Sequence, residues 1–295
     1  MTTHKTSRQQ LQCMEIMGGN QAVRDSLSAP GMDIWLDSRP FESDPGGGDV
    51  HYLSVCGTGR VTRLAIADVS GHGHQVDDVA KWLRKLMRKH INQLDQTRLA
   101  RDINREFAHM AKVGQFATAL MTTYFAPTDH LIVCNAGHPR PIWYSTRNEQ
   151  WNLLDHQTAG TGPSLKEQRV RYRMEQVSNL PLGVIDPTEY HQFAVHLDQG
   201  DLVLIYTDAL MEARNPQGQQ LGEQGLVELA RQLDPTDPIS INDGILSKVD
   251  TWRAGSAPDD DQTLIVMYHN ASDPPKMTAG QAVKSLTKML GLSRV

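Results

Sequence analysis

Residues 64–73 read Leu-Ala-Ile-Ala-Asp-Val-Ser-Gly-His-Gly. The alternation of Leu64, Ile66 and Asp68 predicts a β-strand in which an acid continues the line of core side chains. A carboxylate at the end of a buried strand is unfavourable unless a cation or hydrogen-bond donors pair with it. The two glycines that follow let the backbone come close to a bound ion. The segment therefore predicts a site in which further carboxylates gather around Asp68.

The composition is that of an ordinary globular protein, with 39% hydrophobic and 21% charged residues among 295. The net charge of −5 gives no global argument for nucleic acid or an anionic membrane as a partner. Three cysteines without Cys-x-x-Cys spacing argue against a disulfide framework and a zinc ribbon. No signal peptide and no run of about 18 apolar residues is evident, so we expect a cytoplasmic protein without a membrane span.

Hairpins with helices between them dominate the predicted order of elements. Strands are predicted at residues 32–35, 50–55, 61–68, 117–125, 131–135, 141–144, 193–197, 202–207 and 263–268. Apolar residues at three- and four-residue spacing predict helices over residues 76–90, 97–113, 225–233 and 239–252. Because strands and helices do not alternate strictly, the pattern favours an α+β protein with layers and a largely antiparallel sheet.

We divide the chain into an N-terminal extension (1–29), a central domain (30–269) and a C-terminal tail (270–295). The extension is compatible with a short helix over residues 9–17, and the tail with a short amphipathic helix over residues 279–290. Residues 150–169 predict a loop or irregular hairpin, and residues 170–176 a strand.

Four acids lie at the ends of predicted strands or in loops beside them, namely Asp49, Asp68, Asp208 and Asp260. Clustered carboxylates repel one another unless they are protonated or bridged by cations. Hard divalent ions such as Mg²⁺ and Mn²⁺ take oxygen ligands, and two of them can activate a water and clamp a phosphoryl group. Two alternatives stay open at this point: a hydrolase that uses two hard metal ions, and acids that only cap surface turns.

Nine short motifs then occur in a fixed order. They are Gly-Gly-Asp (47–49), Ala-Asp-Val-Ser-Gly-His-Gly (67–73), Phe-Ala-Thr (116–118), Asn-Ala-Gly-His-Pro (135–139), Pro-Leu-Gly (181–183), Gly-Asp (200–201), Tyr-Thr-Asp (206–208), Glu-Ala-Arg (212–214) and Asp-Asp-Gln-Thr (260–263). In this order the chain resembles metal-dependent protein phosphatases of the PPM (type 2C) superfamily, in the bacterial branch typified by SpoIIE and RsbU. Each motif alone is weak, but the ordered set is highly specific and covers about residues 30–268.

The resemblance implies a four-layer α-β-β-α sandwich with two mainly antiparallel sheets and two Mn²⁺ or Mg²⁺ ions. By position, Asp49 would ligate one metal ion and Asp68 would bridge both. The Val69 carbonyl would be a backbone ligand, and Asp208 and Asp260 would complete the two ligand sets. A water activated by the two metals would then hydrolyse phosphoserine or phosphothreonine on a protein. In this branch the implied substrate is a STAS-type anti-sigma-factor antagonist in a partner-switching signalling pathway.

The sequence departs from the family pattern at three places. Tyr52 stands where the family usually has a second acid, and Ala209 stands where it has a glycine. Ser70 occupies the position of a histidine that acts as general acid in eukaryotic relatives, whereas His72 and His138 read as residues that support loops or turns. The substitutions at Tyr52 and Ala209 motivate the alternative of a catalytically weak or inactive PPM-fold binding module. A third reading, a two-metal hydrolase of nucleotides, has no support in the sequence.

Fewer than 50 residues precede the catalytic motifs, which is short for a sensor domain, so we expect regulation by a protein in trans or by homodimerisation. Two candidate surfaces are the helix over residues 76–90 and the tail helix. The basic face of the first helix is either an ordinary solvated face or a docking surface for an acidic partner.

Overall fold

The computed structural model describes residues 9–10, 16–41, 44–56, 60–71, 74–90, 93–110, 114–160 and 178–272, with single positions at 278, 280, 283 and 287. The strands in these ranges are β1 (Gln9–Gln10), β2 (Ile16–Gly19), β3 (Val23–Ala29), β4 (Met32–Arg39), β5 (Asp49–Cys56), β6 (Val61–Val69), β7 (Ala117–Phe125), β8 (His130–Ala136), β9 (Ile142–Ser145), β10 (Gln150–Leu153), β11 (Gln192–His196), β12 (Leu202–Tyr206) and β13 (Gln262–His269). The α-helices are α1 (His74–His90), α2 (Gln96–Met110), α3 (Asp208–Met211), α4 (Gly222–Ala230) and α5 (Pro238–Trp252).

The strands form two sheets. One sheet has seven strands in the order β1-β3-β4-β13-β12-β9-β10, and the other has six in the order β11-β8-β7-β6-β5-β2. Neighbouring strands run antiparallel in both sheets except for the short parallel pair of β1 and β3.

Three apolar clusters define four layers. Leu64, Ile66 and Leu120 of the six-stranded sheet meet Ile34 and Ile265 of the seven-stranded sheet in a core between the sheets. A second cluster packs α1 and α2 on the six-stranded sheet, and a third packs α4 and α5 on the seven-stranded sheet. The predicted α-β-β-α sandwich is confirmed.

Helix α1 shows why the sequence folds locally as it does. Val76, Ala80, Leu83, Leu86 and Met87 recur at helical spacing and are all buried. An acid in the first turn and basic residues in the last turn complement the helix dipole. The helix therefore covers the six-stranded sheet directly after the loop that follows Asp68.

Strand β6 confirms the alternation read from its sequence. Leu64 and Ile66 face the core between the sheets, whereas Ala65, Ala67 and Val69 face the helices. Since side chains alternate along a strand, Asp68 shares the inner face with Leu64 and Ile66. The acid thus lies at the end of the inter-sheet core.

The N-terminal segment differs from the prediction. Residues 9–10 and 16–19 are strands, where a helix over residues 9–17 had been compatible with the sequence. Strand β3 pairs with β4 from Val23–Ser38 to Ala29–Met32, so the seven-stranded sheet includes residues before the predicted domain start at residue 30. The physical reason is that Leu27 contributes to the inter-sheet core from a strand whose other positions are mostly polar.

Residues 150–153 form the second strand of a hairpin with β9. The strand predicted at residues 170–176 lies outside the described residues, as does most of the predicted tail helix. Among the described residues, no helix combines the length and the apolar character that crossing a membrane requires.

Candidate metal centre

The four acids predicted from the sequence lie at one end of the sandwich. Asp49 is the first residue of β5 and lies directly opposite Asp68 of β6. Strand β12 ends two residues before Asp208, and its antiparallel neighbour β13 begins two residues after Asp260. A hydrogen bond from Thr207 to Asp49 joins this end of the seven-stranded sheet to the six-stranded sheet.

Asp49 is the most enclosed of the four acids, at 3% exposure. Its Oδ2 accepts hydrogen bonds from Thr207 Oγ1 at 2.8 Å and Thr263 Oγ1 at 2.7 Å. Its Oδ1 is buried and has no hydrogen-bond partner within the described part of the chain. Burial and the charge of Asp68 raise the Asp49 pKa well above its ordinary range, against the lowering effect of the two threonine hydroxyls.

Like charges surround Asp68 as well. Burial, followed by the charges of Asp208, Asp260, Asp261 and Glu212, raises the Asp68 pKa to about 8. Burial, together with Glu212 and Asp260, raises the pKa of Asp208 to about 6. Such a cluster is stabilised either by protons or by cations.

The chemistry of these residues decides whether they fit a divalent metal ion. No group of three or more His, Cys, Asp or Glu side chains within the described ranges is already arranged to hold one. The donor set nevertheless consists of carboxylate oxygens, which hard ions prefer, and Asp49 offers a buried oxygen that lacks a partner. The residues therefore fit a hard divalent ion in their chemistry.

Asp261 supports the loop beside the candidate site, and the sequence alone did not distinguish it from its neighbour Asp260. It is buried at 6% exposure and accepts hydrogen bonds from the backbone N–H groups of Phe41 and Gly48. A Cβ on Gly47 would overlap with the Asp261 carboxylate, so only glycine fits there without a shift. Asp261 thus holds the loop that leads into Asp49, and the adjacent pair of acids in the sequence was a signal for it.

Gly48 brings the loop close to the predicted backbone ligand. A Cβ at this position would lie 2.9 Å from the Val69 carbonyl oxygen and 2.8 Å from Val76 Cγ1. The Val69 N–H in turn donates to the Gly48 carbonyl at 3.3 Å. Glycine at residue 48 therefore keeps the Val69 carbonyl uncrowded beside Asp49.

Asn20 is a second residue that the sequence reasoning missed. Its side-chain Nδ2 donates to the Gly47 carbonyl at 3.0 Å and to Asp77 Oδ1 at 2.7 Å. The backbone carbonyl of Asn20 accepts a hydrogen bond from the Gly47 N–H. One buried amide from the N-terminal segment thus ties the glycine loop to the first turn of α1. No motif pointed to it, because a single asparagine in a polar segment carries no local signal.

His138 packs in a turn and its imidazole is buried, at 5% exposure. Its backbone is held by the Asn135 side chain, and its Nδ1 lies 2.9 Å from Thr118 Oγ1. Thr118 lies opposite Asp68 in the sheet. Burial lowers the His138 pKa to about 3, so the imidazole is neutral, in line with a turn residue.

The departures from the family pattern leave the carboxylate end intact. Tyr52 is buried in the cluster between the six-stranded sheet and its helices, on the opposite face of β5 from Asp49. Ala209 lies in the first turn of α3, a backbone conformation that alanine adopts readily. Ser70 Oγ accepts the Phe116 N–H, which ties the loop after Asp68 to β7. His72 lies outside the described residues.

Comparison with known proteins gave a family match. The family model described as Stage II sporulation protein E (SpoIIE) matches residues 58–270. Phosphoserine phosphatase RsbU of Bacillus subtilis (strain 168) is 23% identical over 216 residues, which make up 69% of this chain and 54% of the relative. The chain thus spans about half the length of this curated relative.

Two solved structures show the same fold. The RsbU and RsbW domains of Rv1364c from Mycobacterium tuberculosis superpose with a TM-score of 0.65 at 22% identity, covering 92% of this chain and 72% of that one. RsbX, solved in complex with magnesium, superposes with a TM-score of 0.58 at 14% identity, covering 83% of this chain and 99% of that one. The family match and the shared architecture lead to one conclusion: the chain belongs to the SpoIIE family and has the fold of the PPM (type 2C) phosphatases.

Proposed function

We propose that the chain is a metal-dependent protein phosphatase that hydrolyses phosphoserine or phosphothreonine. The observation that carries the proposal is the meeting of Asp49, Asp68, Asp208 and Asp260 at one end of the sandwich, where burial and mutual repulsion raise the pKa of Asp68 to about 8. Repulsion of this kind is relieved when cations bind between the carboxylates.

We assign two divalent ions, Mn²⁺ or Mg²⁺, to this end. Asp49, Asp68, Asp208 and Asp260 with the carbonyl of Val69 would hold them. When bound, such a pair supplies an activated water and neutralises charge on the phosphoryl group. The magnesium in the RsbX structure supports this choice of ion.

The remaining residues of the site position these ligands. Thr207 and Thr263 fix Asp49 through its Oδ2, which leaves Oδ1 without a hydrogen-bond partner among the described residues and available to a ligand. Asp261 holds the loop ahead of Asp49 through backbone N–H groups. Neutral His138 and the Ser70 oxygen, which accepts a backbone N–H, hold the neighbouring turns.

The proposed substrate is a phosphorylated regulatory protein in the cytoplasm, of the STAS type expected for this branch. The name of the relative RsbU, a phosphoserine phosphatase, supports phosphoserine as the group attacked. The net charge of −5 supports neither nucleic acid nor an anionic membrane as the partner.

The test is hydrolysis of p-nitrophenyl phosphate and of a phosphoserine peptide with and without Mn²⁺. The unchanged chain is compared with Asp68→Asn, Asp208→Asn and, as a matched control, Asp243→Asn, since Asp243 is exposed and paired with Arg24. We expect Mn²⁺-dependent turnover that the first two changes abolish and the control retains. Turnover that needs no metal, or that survives Asp68→Asn, would contradict the proposal.

The alternative function, a PPM-fold binding module without activity, predicts no turnover with any divalent metal on either substrate. This alternative rests on the substitutions at Tyr52 and Ala209, and the positions of both residues weaken it. Tyr52 faces the helix layer, and Ala209 has an ordinary helical backbone.

Regulation by a protein in trans or by homodimerisation belongs to the same proposal. Helix α1 presents Lys85 and Arg88 as exposed cations, while Lys81 pairs with Asp77 and Lys89 pairs with Glu106. Charge reversal at Lys85 and Arg88, read by light scattering and by co-purification with a regulator, tests whether this face binds a second protein. Unchanged association would remove α1 from the proposal.

A further inference from the structure

Arg253 lies at the C-terminal end of α5 and is buried, at 4% exposure. Its Nη1 donates to Gln262 Oε1 at 2.9 Å, and its Nη2 donates to the Ala209 carbonyl at 2.8 Å. The nearest carboxylate with which it forms an ion pair within the described residues is Asp250, at 3.6 Å, and that side chain is 56% exposed. A cation is therefore buried mainly against neutral acceptors.

The two acceptors belong to the two segments that carry acids of the candidate metal centre. Ala209 directly follows Asp208 in α3, and Gln262 begins β13 two residues after Asp260. Arg253 thus bridges the segment of Asp208 and the segment of Asp260 with the two arms of one planar group.

A neighbouring contact supports the same bridge. Trp252 Nε1 donates to the Ala213 carbonyl at 3.0 Å, just beyond the end of α3. The end of α5 therefore holds the Asp208 segment at two carbonyls, one inside the short helix and one just beyond its end. A four-residue helix has little stability of its own, so its position depends on such contacts.

An arginine guanidinium can bridge these two segments better than a lysine ammonium can. Its donors form a rigid planar fork, so fixing one acceptor also fixes the direction of the other. Burying the charge is unfavourable in itself, and hydrogen bonds to both acceptors offset part of that cost.

We propose that Arg253 is a positioning residue that sets the separation between Asp208 and Asp260 and thereby the affinity of the centre for divalent metal. The proposal rests on the proposed function, because it assumes that these acids bind metal. Arg253 itself touches neither metal nor substrate in this account.

The test measures Mn²⁺ binding to the full chain by isothermal titration calorimetry, with thermal unfolding of the metal-free protein as a separate readout. Arg253→Met removes both donated hydrogen bonds, and we expect Mn²⁺ to bind about tenfold more weakly or worse, as for other residues that orient metal ligands. Because the defect is in metal affinity, saturating Mn²⁺ should restore most of kcat. Arg253→Lys should recover part of the affinity, since an ammonium can still reach one acceptor.

Two further variants separate positioning from general stability. Val249→Ala removes buried apolar volume from the same helix and should lower thermal stability without changing Mn²⁺ affinity. Gln262→Met removes one acceptor and should weaken Mn²⁺ binding even if Arg253→Met does not fold.

Each result of these binding measurements either supports or overturns the role proposed for Arg253. Unchanged Mn²⁺ affinity in Arg253→Met, or in Gln262→Met where that variant alone folds, would overturn the inference and leave the proposed function standing. An equal loss of affinity in Val249→Ala would also overturn it. Absence of Mn²⁺ binding by the unchanged chain would overturn the proposed function, and this inference with it.

Discussion

Thr263 Oγ1 donates a hydrogen bond to Asp49 Oδ2 at 2.7 Å, across 214 positions of sequence. The hydroxyl belongs to the seven-stranded sheet and the carboxylate to the six-stranded sheet, so this contact ties the two sheets together at the end where the acids meet. A carboxylate buried to this degree depends on such donors, because burial withdraws it from bulk water.

Replacing Thr263 by valine should test this contact. The shape is kept while the hydroxyl that serves Asp49 is lost, and Ser38 Oγ, 2.9 Å from Thr263 Oγ1, loses its partner as well. We expect a loss of about 1–3 kcal/mol in the free energy of unfolding, measured by urea titration without metal. Thr263→Ser keeps the hydroxyl and should lose much less; equal losses in the two variants would show that the hydrogen bond is unimportant.

Asp49 should lower the stability of the metal-free protein and be needed for metal binding. Its pKa is raised by burial and by Asp68, so the charged form of this carboxyl is disfavoured in the metal-free folded protein, which lowers stability at neutral pH. We therefore expect Asp49→Asn to stabilise the metal-free protein by about 1 kcal/mol in urea unfolding, as relief of strain at functional sites commonly does.

The same substitution should remove the stabilisation that metal gives. At an Mn²⁺ concentration about 100 times its dissociation constant, the unchanged chain should gain about 2.7 kcal/mol, and Asp49→Asn much less. A variant that loses stability without metal and still gains the full increment with Mn²⁺ would contradict both expectations.

Gly47 should not tolerate a side chain. A Cβ there would overlap with the Asp261 carboxylate, which accepts the Phe41 and Gly48 N–H groups. We expect Gly47→Ala to cost about 1–3 kcal/mol in the free energy of unfolding, together with weaker Mn²⁺ binding. The matched control is Gly19→Ala, where the nearest atoms lie 3.7 Å from the added Cβ; a similar loss there would remove overlap as the cause.

His269 should make stability depend on pH at the other end of the sandwich. Its Nε2 lies 3.0 Å from Asp129 Oδ1 and 3.0 Å from Tyr124 Oη. Burial lowers the His269 pKa, but the hydrogen bonds to Asp129 and to the Asp198 backbone, together with the charges of Asp129 and Asp201, outweigh burial, and the net effect raises it. A histidine with a raised pKa stabilises fully below its unfolded value of about 6.5, and this contribution is lost as pH rises through the folded value.

The measurement is the difference in free energy of unfolding between the unchanged chain and His269→Gln, taken from pH 6 to pH 9. We expect this difference to shrink by about 1 kcal/mol over that range, a modest figure because Asp129 is partly exposed. Tyr124→Phe keeps the imidazole and should retain the pH dependence. A difference in free energy of unfolding that stays constant with pH would contradict the raised pKa of His269.

Much of the fold followed from local sequence patterns. The two-residue alternation in residues 64–68 gave the strand and its inner face, and helical spacing gave α1 and α2 to within a few residues at most ends. These signals are strong because one face of each element is apolar and the other is not. Strand β3 was missed because its sequence, Val-Arg-Asp-Ser-Leu-Ser-Ala, buries little apolar surface and depends on pairing with β4.

The acids of the candidate site could also be predicted from the sequence. The ordered motifs contain Asp49, Asp68, Asp208 and Asp260, and recognising a motif requires no knowledge of contacts. Their supporting residues were not. Asn20, Thr207 and Arg253 act through partners 27, 158 and 44 positions away, and no local pattern encodes a partner at such distances.

Local patterns and ordered motifs were thus enough to predict most of the strands and helices, the family resemblance, and which carboxylates are candidates for metal binding. The hydrogen bonds could be assigned only from the packed structure: Asp49 has one oxygen held by two threonines and one without a partner among the described residues, and Asp261 accepts N–H groups of the loop ahead of Asp49. The reason is physical: residue type and periodicity fix which face of an element is buried, whereas hydrogen-bond partners and pKa shifts arise only when distant segments pack together.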